Sequence, residues 1–349
     1  MIQVATPHLT DLSDRKTKKF IVITTINEPT LAVEGFAKID NYQLVVVADK
    51  KTPANWNYED VLFLSVEEQE KHSSSLSKRL PYNHYARKNL GYLYAINHGA
   101  ETIVDTDDDN IPKKNWSMPL YQASYLKSSE ALGFVNVYKS FTKIHIWPRG
   151  FPLDLVKSDS HLLKESELTK TLVNVGIWQG LADGDPDVDA IYRLVDNTPC
   201  FFADRDPVVL AKGTICPFNS QNTAFQKALF PLLYLPCFVT FRYTDILRGL
   251  VAQPIMWLLD YHLGFTKATV TQERNPHDYL KDFESEIPCY LYPYKVIDVV
   301  SSSIRSTYSV ADNLYQAYAA LCGAGIVTNE EVELVTLWLQ GITAYQCVN

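Results

Sequence analysis

Short apolar runs alternate with helical stretches over the first 115 residues of the chain. Buried strands are predicted within KFIVITT, QLVVVA, VLFL and ETIV, which are rich in β-branched residues. Helices are predicted over 31–39 and 86–99, and the polar stretch 67–85 is interpreted as a mobile loop. Because buried strands that alternate with helices are typical of a covered parallel sheet, the pattern predicts an α/β fold.

Beyond this first part the pattern changes twice. Residues 130–290 are less regular, and the sequence turns helical after about residue 291, through NLYQAYAALCGAG and NEEVELVTLWLQGI. We therefore expect a loose N-terminal tail over 1–17, one large domain over 18–290, and a helical C-terminal extension over 291–349.

Composition limits the classes of function. The 349 residues are 46% hydrophobic and carry a net charge of -8, so a general nucleic-acid binder is not expected. The six cysteines are widely spaced, without a C-x-x-C pair, which favours a reducing compartment. The N-terminus lacks a long apolar stretch, and 228–241 is too short and too broken by prolines to span a bilayer. We expect a soluble cytoplasmic protein without a signal peptide or transmembrane segment.

The stretch ETIVDTDDDN places Asp105, Asp107, Asp108 and Asp109 at the end of a predicted strand. Ligands bind at the carboxyl ends of strands in open α/β sheets. Side chains two positions apart on an extended chain point the same way, so Asp107 and Asp109 could each present one oxygen to Mg²⁺ or Mn²⁺. Such a metal would bridge to a diphosphate. A solvated acidic turn is the alternative that these residues leave open.

Several motifs together carry a resemblance to known families. TTINEP, VADK and ARKNLGYLYAINHGAETIVDTDDD resemble the nucleotide-sugar-binding half of a GT-A glycosyltransferase. The chain is more closely similar to the STELLO family, in which the DTDDDN stretch is followed by blocks like DPDVDAIYRL, FRYTDILRG and QERNPHDYLKDF. It is more distantly similar to the reversibly glycosylated polypeptides, which are UDP-arabinopyranose mutases, through its DDD, RGFP and RYxD motifs. The resemblance covers roughly residues 18–290.

The resemblance implies a GT-A-like fold, with a mostly parallel Rossmann-like sheet and the nucleotide-sugar-binding half over 18–115. The acceptor and catalytic half would follow over 116–290. It also implies a set of contacts to the donor, from Thr25, Asn27, Glu28, Asp49, Arg87, Lys88, Asp105, Asp107, Asp108 and Arg149. Within this set, Asp49 and its neighbours would line the nucleoside pocket, and the two cations of the helix would neutralise the diphosphate. A strand-end cap for Asp49 and a solvated helix face for the cations are the alternatives.

The remaining implied roles concern the metal, the acceptor and the base. Asp107, Asp109 and His277 would hold Mn²⁺ or Mg²⁺. Asp245, at the start of a helix, would be the general base, with a simple N-cap as the alternative. Trp178 would stack on a sugar, unless it packs in the core, and Asp185 and Asp187 would contact the sugar or the acceptor.

We therefore predict a metal-dependent glycosyltransferase that moves a sugar from a nucleoside-diphosphate sugar, with a UDP-sugar favoured, to a hydroxyl of a glycan or glycoconjugate. One alternative is a nucleotide-sugar mutase with Arg149 as its reactive arginine. A second is a non-catalytic nucleotide-sugar-binding scaffold in which 291–349 is an interaction surface. No G-x-S-x-G, Walker A, H-E-x-x-H or G-x-G-x-x-G motif points elsewhere.

Overall fold

The computed structural model describes residues 17–71, 75–273 and 278–346. The predicted tail, apart from residue 17, and the predicted metal ligand His277 lie outside these ranges. The described strands are β1 Lys19–Thr25, β2 Gln43–Ala48, β3 Leu62–Leu64, β4 Thr102–Thr106, β5 Asn110–Pro112, β6 Gln122–Ser128, β7 Gly133–Phe134, β8 Leu168–Gly184, β9 Val208–Leu210, β10 Thr214–Ile215, β11 Asn222–Gln226 and β12 His262–Gln272.

Helices cover both faces of these strands and dominate the C-terminal part. The α-helices are α1 Leu31–Ala37, α2 Val66–Lys71, α3 Ser75–Arg79, α4 Lys88–Asn97, α5 Tyr138–Phe141, α6 Ala190–Val195, α7 Thr244–Trp257, α8 Tyr279–Leu291, α9 Pro293–Ser303, α10 Val310–Gly323 and α11 Asn329–Gln346. Short 3₁₀ turns lie between them, including Tyr85–Arg87, Lys227–Leu233 and Phe241–Tyr243. None of the helices in the described ranges combines the length and the apolar character that crossing a bilayer requires.

A ten-stranded sheet forms the centre of the protein, in the order β3-β2-β1-β4-β11-β8-β6-β9-β12-β5. Strands β3, β2, β1 and β4 are parallel, as the alternating pattern predicts. Strand β11 then runs antiparallel to both β4 and β8, and the strands beyond it are mixed. The α/β prediction is therefore confirmed, and the less regular sequence after residue 130 corresponds to the mixed part of the sheet.

Apolar residues fill both faces of strand β1, because each face is covered. Ile21 and Ile23 join a buried cluster under α1, whereas Phe20 and Val22 join the larger cluster under α4. Helix α4 packs so closely that a Cβ at Gly91 would lie 2.6 Å from side-chain atoms of Val22. A side chain at this position would push the helix away from the sheet, so glycine is required by close approach.

The predicted mobile loop over 67–85 contains two short helices, α2 and α3. Helix α2 is fixed by Gln69, whose buried side-chain amide donates to the carbonyls of Ala48 and Leu64 at 2.8 Å each. The sequence did not predict this role, because a buried glutamine that bonds to the last residues of two strands cannot be told from a surface glutamine by sequence alone.

The C-terminal helices pack against the segment that precedes α7. Trp338 on α11 is fully buried, and its indole N–H donates to the carbonyl of Pro231 at 2.9 Å. The buried carboxylate of Glu331 accepts hydrogen bonds from the backbone N–H groups of Cys237 and Phe238, at 3.0 and 2.6 Å. Helix α11 thus holds the backbone that leads into α7.

Replacement of this tryptophan should therefore unfold more than the C-terminal helices. We expect Trp338→Ala to lower the free energy of unfolding by about 3–5 kcal/mol, because it leaves a large cavity and an unpaired carbonyl. Urea denaturation measures the loss. Leu291→Ala, at a side chain that is 63% exposed, is the control and should change stability little. A loss below about 1 kcal/mol for Trp338→Ala would contradict this packing.

Candidate functional site

Several chain segments meet at one edge of the central sheet. Strands β2, β1, β4 and β8 end at this edge, and β11 starts from it, since Asn222 pairs with Thr106 in antiparallel register. The strand order places the segments after β2, after β1, after β4, before β11 and after β8 side by side. This is the edge at which ligands bind in open α/β sheets.

A cavity of about 440 Å³ opens at this edge. Two apolar side chains, Ile26 and Phe241, contribute to its wall. The polar residues that line it are Thr24, Thr25, Asn27, Asp49, Lys51, Asn83, His84, Tyr85, Asp107, Asp108, Asp109, Arg149, Asp187, Ser220, Gln221, Arg242, Asp245 and Gln272. The structure thus brings most of the predicted site residues together around one cavity of a size that holds a small ligand.

Asp105 lies beneath this cavity and not in its lining. It belongs to strand β4 and is fully buried. Its two carboxylate oxygens accept hydrogen bonds from Lys88 Nζ at 2.9 Å and from Arg248 Nη1 at 2.7 Å. Arg248 also donates to the carbonyl of Asn219 at 3.0 Å. Asp105 therefore links β4 to α4 and α7 in the protein interior. The sequence had predicted that Asp105 contacts the donor.

Lys88 is likewise buried and is held by carboxylates of the protein. Besides Asp105, its ammonium contacts Asp107 Oδ1 at 2.5 Å. Burial lowers the pKa of Lys88, but Asp105 and Asp107 outweigh this effect and raise that pKa to about 12. Lys88 stays charged at neutral pH, where it offsets the carboxylates at the end of β4. The sequence predicted that Lys88 contacts a diphosphate directly. Its buried position beneath the acidic residues does not favour such a contact.

Residues Asp107–Asp109, here called the acidic loop, follow β4 and line the cavity. Asp108 Oδ2 accepts hydrogen bonds from the Thr25 hydroxyl and, at 3.0 Å, from Asn27 Nδ2. Asp109 Oδ2 accepts from Gln272 Nε2 at 3.0 Å. The middle carboxylate thus ties the acidic loop to the end of β1, while Asp107 and Asp109 flank it in the cavity wall.

The carboxyl group of Asp107 titrates near neutral pH. Burial raises its pKa, and although Lys88 acts in the opposite direction, Asp109 and Asp105 add to the rise, so that the pKa of Asp107 reaches about 7. A carboxyl group that is held close to other carboxyls in this way is readily ionised when a cation approaches.

The acidic loop offers two carboxylates to a hard cation. In the described parts of the chain, no three His, Cys, Asp or Glu side chains are grouped so that they could hold a metal ion. Mg²⁺, however, is often bound through one or two protein carboxylates, with phosphate oxygens and waters as its other ligands. Asp107 and Asp109 fit this kind of site, and the contribution predicted for His277 lies outside the described residues.

The end of β2 holds the loop that carries His84. Asp49 Oδ2 accepts from the backbone N–H of His84 at 3.2 Å, and His84 Nδ1 accepts from the N–H of Ala86 at 3.0 Å. Burial lowers the pKa of His84 to about 4, although Asp49 acts in the opposite direction. His84 therefore faces the cavity as a neutral imidazole. Its ring lies edge-on to Phe241, with the ring centroids 5.3 Å apart.

Four ionised side chains form the opposite side of the cavity, here called the ionic wall: Arg149, Asp187, Arg242 and Asp245. Arg149 Nε and Nη2 donate to the two oxygens of Asp187 at 2.9 and 2.7 Å. Its Nη1 and Nη2 donate to the two oxygens of Asp245 at 3.1 and 3.0 Å. Burial lowers the pKa of Arg149, but the two carboxylates raise it well above its usual range.

Asp245 lies in the first turn of α7, as predicted, but it does not cap the helix. Besides the guanidinium of Arg149, its carboxylate accepts from the backbone N–H of Ser220 at 3.1 Å and contacts the hydroxyl of Tyr85 at 3.3 Å. Tyr85 in turn accepts from the backbone N–H of Asp245 at 3.2 Å. Asp245 is therefore held from three sides at the cavity wall.

A pair of amides connects the acidic loop with the ionic wall. Gln272 donates to Asp109 and accepts a short hydrogen bond from Gln221 Nε2. Gln221 Oε1 accepts from the backbone N–H of Asp187 at 3.3 Å. Because each amide donates toward the acidic loop and accepts on its other side, the chain of hydrogen bonds has one direction.

Several predicted contacts lie away from the cavity. Glu28 is exposed and is not part of the lining. Arg87 is fully buried, and its Nε and Nη2 donate to Gln69 Oε1 at 2.9 and 2.6 Å, so it fixes α2. Trp178 is fully buried in β8 with Tyr125 edge-on at 5.0 Å, which leaves no ring face for a sugar. Asp185 forms an ion pair with Arg193.

Other residues of the site were not singled out from the sequence. Arg248 carried the clearest signal, because it lies three positions after Asp245 in FRYTDILRG, and residues at this spacing lie on neighbouring parts of a helix. Tyr85, Ser220 and Gln272 had no signal of their own, since chain segments far apart in sequence bring them together.

Removal of the buried ammonium of Lys88 should destabilise the fold. We expect Lys88→Met to lower the free energy of unfolding by about 3–5 kcal/mol, because Asp105 and Asp107 lose the cation between them. Urea denaturation measures this loss, with Lys114→Met at an exposed position as the matched control. An equal stability of Lys88→Met and the control would mean that Lys88 does not hold these carboxylates.

The raised pKa of Asp107 has a defined effect on stability. Between its ordinary value of 3.8 and its folded value of about 7, the native state holds a proton that the unfolded state has lost, so stability falls as pH rises from about 4 to about 7 and levels off above that. In metal-free buffer, Asp107→Asn should match the melting temperature of the wild type near pH 4 and exceed it by a growing margin up to about pH 7, and this margin should persist at pH 8. A variant that is less stable than the wild type at pH 8 would show that the Asp107 carboxylate is favourably paired.

Comparisons with known proteins agree with the motifs. Residues 242–347 match the family described as STELLO glycosyltransferases. The chain is 27% identical to the probable glycosyltransferase STELLO2 of Arabidopsis thaliana over 363 residues, which covers 98% of this chain and 46% of that protein. It is 27% identical to STELLO1 of the same plant over 351 residues, covering 94% and 45%. The chain thus spans about half the length of these curated relatives.

Among solved structures, a mycobacterial protein aligns with 84% of this chain and 78% of its own length, with a TM-score of 0.39 and 11% sequence identity. The sequence matches extend well beyond the motifs quoted from the first 115 residues and include the block around Asp245. The resemblance of this chain to the STELLO glycosyltransferases is thereby confirmed.

Proposed function

We propose that the protein is a metal-dependent glycosyltransferase whose donor is a nucleoside-diphosphate sugar. The observation that carries this proposal is the order of chemistry along the sheet edge. Asp49 follows β2 and Thr25–Asn27 lie at the end of β1. The acidic loop follows β4, Ser220 and Gln221 precede β11, and Asp187 of the ionic wall follows β8. At a strand spacing of about 4.8 Å, four steps extend roughly 19 Å, which suits a ligand of several groups in a row.

The side of the cavity near β1 and β2 suits the nucleoside. Thr25, Asn27 and Asp49 offer hydroxyl, amide and carboxylate groups for a base and a ribose. The neutral imidazole of His84 and the edge of Phe241 add a polar and an apolar surface. Of the predicted nucleoside contacts, only Glu28 has no place in this arrangement.

The acidic loop suits the diphosphate only if a cation accompanies it. Asp107 and Asp109 would hold Mg²⁺ or Mn²⁺, and the phosphate oxygens would supply further ligands. When bound, such a cation stabilises the charge that develops on the departing diphosphate. Asp108 has a different task, since its bonds to Thr25 and Asn27 fix the acidic loop against the nucleoside side.

We propose that the sugar and the acceptor hydroxyl lie against the ionic wall. The acceptor would be a glycan or glycoconjugate. Asp245 remains the proposed general base. Because its carboxylate accepts from Arg149 and Ser220 in this structure, at least one of these hydrogen bonds must be released before it takes a proton. The names of the curated relatives, both probable glycosyltransferases, also support transfer as the reaction.

The mutase alternative requires Arg149 to act as a nucleophile. The hydrogen bonds of the Arg149 guanidinium do not favour that role. Each guanidinium nitrogen donates to Asp187, Asp245 or a backbone carbonyl, and the pKa of Arg149 lies well above its usual range. A protonated, fully hydrogen-bonded guanidinium has no lone pair with which to attack a sugar.

Donor binding should depend on a metal and on the acidic loop. We expect UDP-glucose or a related UDP-sugar to raise the melting temperature with Mn²⁺ and not without it. At a ligand concentration of 100 times Kd, the gain in stability is about 2.7 kcal/mol. Asp107→Asn/Asp109→Asn should abolish the shift, because no carboxylate pair remains to hold the cation.

The matched control is Asp204→Asn/Asp206→Asn, which removes two exposed carboxylates at the same spacing elsewhere on the surface. This variant should keep the full shift. If no nucleoside-diphosphate sugar shifts the wild type with Mn²⁺ present, the proposed function is wrong. Interconversion of the donor's sugar ring without an acceptor would instead support the mutase, and binding without transfer or interconversion would support the scaffold.

A further inference from the structure

The short segment before β11 is held firmly in the cavity wall. Ser220 and Gln221 belong to this segment and line the cavity. The backbone N–H of Asn219 donates to Gln179 Oε1 at 3.0 Å, and the carbonyl of Asn219 accepts from Arg248 Nη2 at 3.0 Å. The side-chain Oδ1 of Asn219 accepts from the backbone N–H of Gln221 at 2.9 Å. The protein itself therefore fixes the backbone on both sides of Ser220.

The hydroxyl of Ser220 differs from the polar groups around it. Ser220 is 3% exposed and its backbone N–H donates to Asp245 Oδ2 at 3.1 Å, but its hydroxyl has no hydrogen-bond partner among the described residues. Ser128 is similarly buried, yet its hydroxyl donates to the carbonyl of Ser129 at 2.9 Å and accepts from the N–H of Ala211 at 3.0 Å. A buried hydroxyl without a partner is uncommon and points to a bound polar group. Because Ser220 lines the cavity, a ligand there can supply that group.

The position of Ser220 indicates which part of the ligand it would meet. Asn222 pairs with Thr106 in antiparallel register, so the residues before Asn222 lie beside the acidic loop. The Thr106 hydroxyl donates to the carbonyl of Gln221 at 2.7 Å, which holds the two segments together. On its other side, Ser220 bonds to Asp245. Under the proposed function, the diphosphate lies at the acidic loop and the base is Asp245, so the sugar would lie between them, beside Ser220.

We infer that the Ser220 hydroxyl forms a hydrogen bond with a hydroxyl of the donor's sugar and so helps to determine which sugar the site accepts. This inference rests on the proposed function and adds to it a specificity-determining residue that contacts the sugar and not the nucleotide. A site with a buried polar group discriminates against a ligand that cannot pair with it, because the group then stays unsatisfied.

Stability without a ligand tests whether the hydroxyl is unpaired in the protein. Ser220→Ala removes a buried hydroxyl that makes no bond within the described ranges, so its melting temperature in ligand-free buffer should equal or exceed that of the wild type. Ser128→Ala is the matched control; it removes a hydroxyl that is bonded on both sides and should melt at a lower temperature. A loss for Ser220→Ala as large as that for Ser128→Ala would overturn the inference.

Calorimetric titration with Mn²⁺ present tests the contact with the sugar. Kd is measured for UDP, UDP-glucose, UDP-galactose and UDP-xylose, with the wild type and both variants. In Ser220→Ala, the ratio of Kd for a UDP-sugar to Kd for UDP should rise about threefold to tenfold, which corresponds to one neutral hydrogen bond, and Kd for UDP should stay the same. Ser128→Ala should leave the ratio unchanged.

The three sugars locate the bond, because UDP-xylose lacks the hydroxymethyl group of UDP-glucose. An effect on every sugar that binds would assign the bond to a ring hydroxyl, and an effect that spares UDP-xylose would assign it to the hydroxymethyl group. If Ser220→Ala leaves the ratio unchanged, or if the wild type binds UDP but none of the three sugars, the inference is overturned while nucleotide binding stands. If the wild type binds neither UDP nor any of these sugars, the proposed function and this inference both fall.

Discussion

The site depends on one buried carboxylate. Asp105 lies inside the sheet, where an unpaired charge would not be tolerated, and it is satisfied by one cation from α4 and another from α7. These two helices are far apart in the sequence, and both contact the same strand at this carboxylate. Of the acids that line the cavity, Asp107 is joined to this ion triad through Lys88.

The triad also explains why Lys88 and Arg248 are not part of the cavity lining. Lys88 reaches upward to Asp107, and Arg248 reaches sideways to the carbonyl of Asn219, which precedes β11. Positive charge is thus kept below the acidic loop, and the loop presents its carboxylates to the cavity. Carboxylates presented in this way suit a cation, and under the proposed function an anionic ligand would bind in the company of that cation.

The sequence was sufficient for those features that depend on local patterns. The β-branched runs predicted β1, β2 and β4, and the acids after β4 predicted the position of the cavity. It was not sufficient where burial reverses the role of a polar residue. Arg87 was predicted to contact a diphosphate and Gln69 to lie in a mobile loop, yet the two residues bond to each other in the interior. The role of Trp178 could not be decided from the sequence, because a tryptophan in a strand can either stack on a sugar or pack in the core. In the structure it packs in the core.

The directed pair of amides between the acidic loop and the ionic wall has a consequence for the order of events. Gln272 can donate to Asp109 only while that oxygen is available as an acceptor. If a proposed cation took the lone pair that accepts this bond, Gln272 would turn to another acceptor, and Gln221 would lose its partner unless it turned as well. The backbone N–H of Asp187 would then change partner too. A cation bound in this way at one end of the cavity would change hydrogen bonds at the other end, through two side chains that need only rotate.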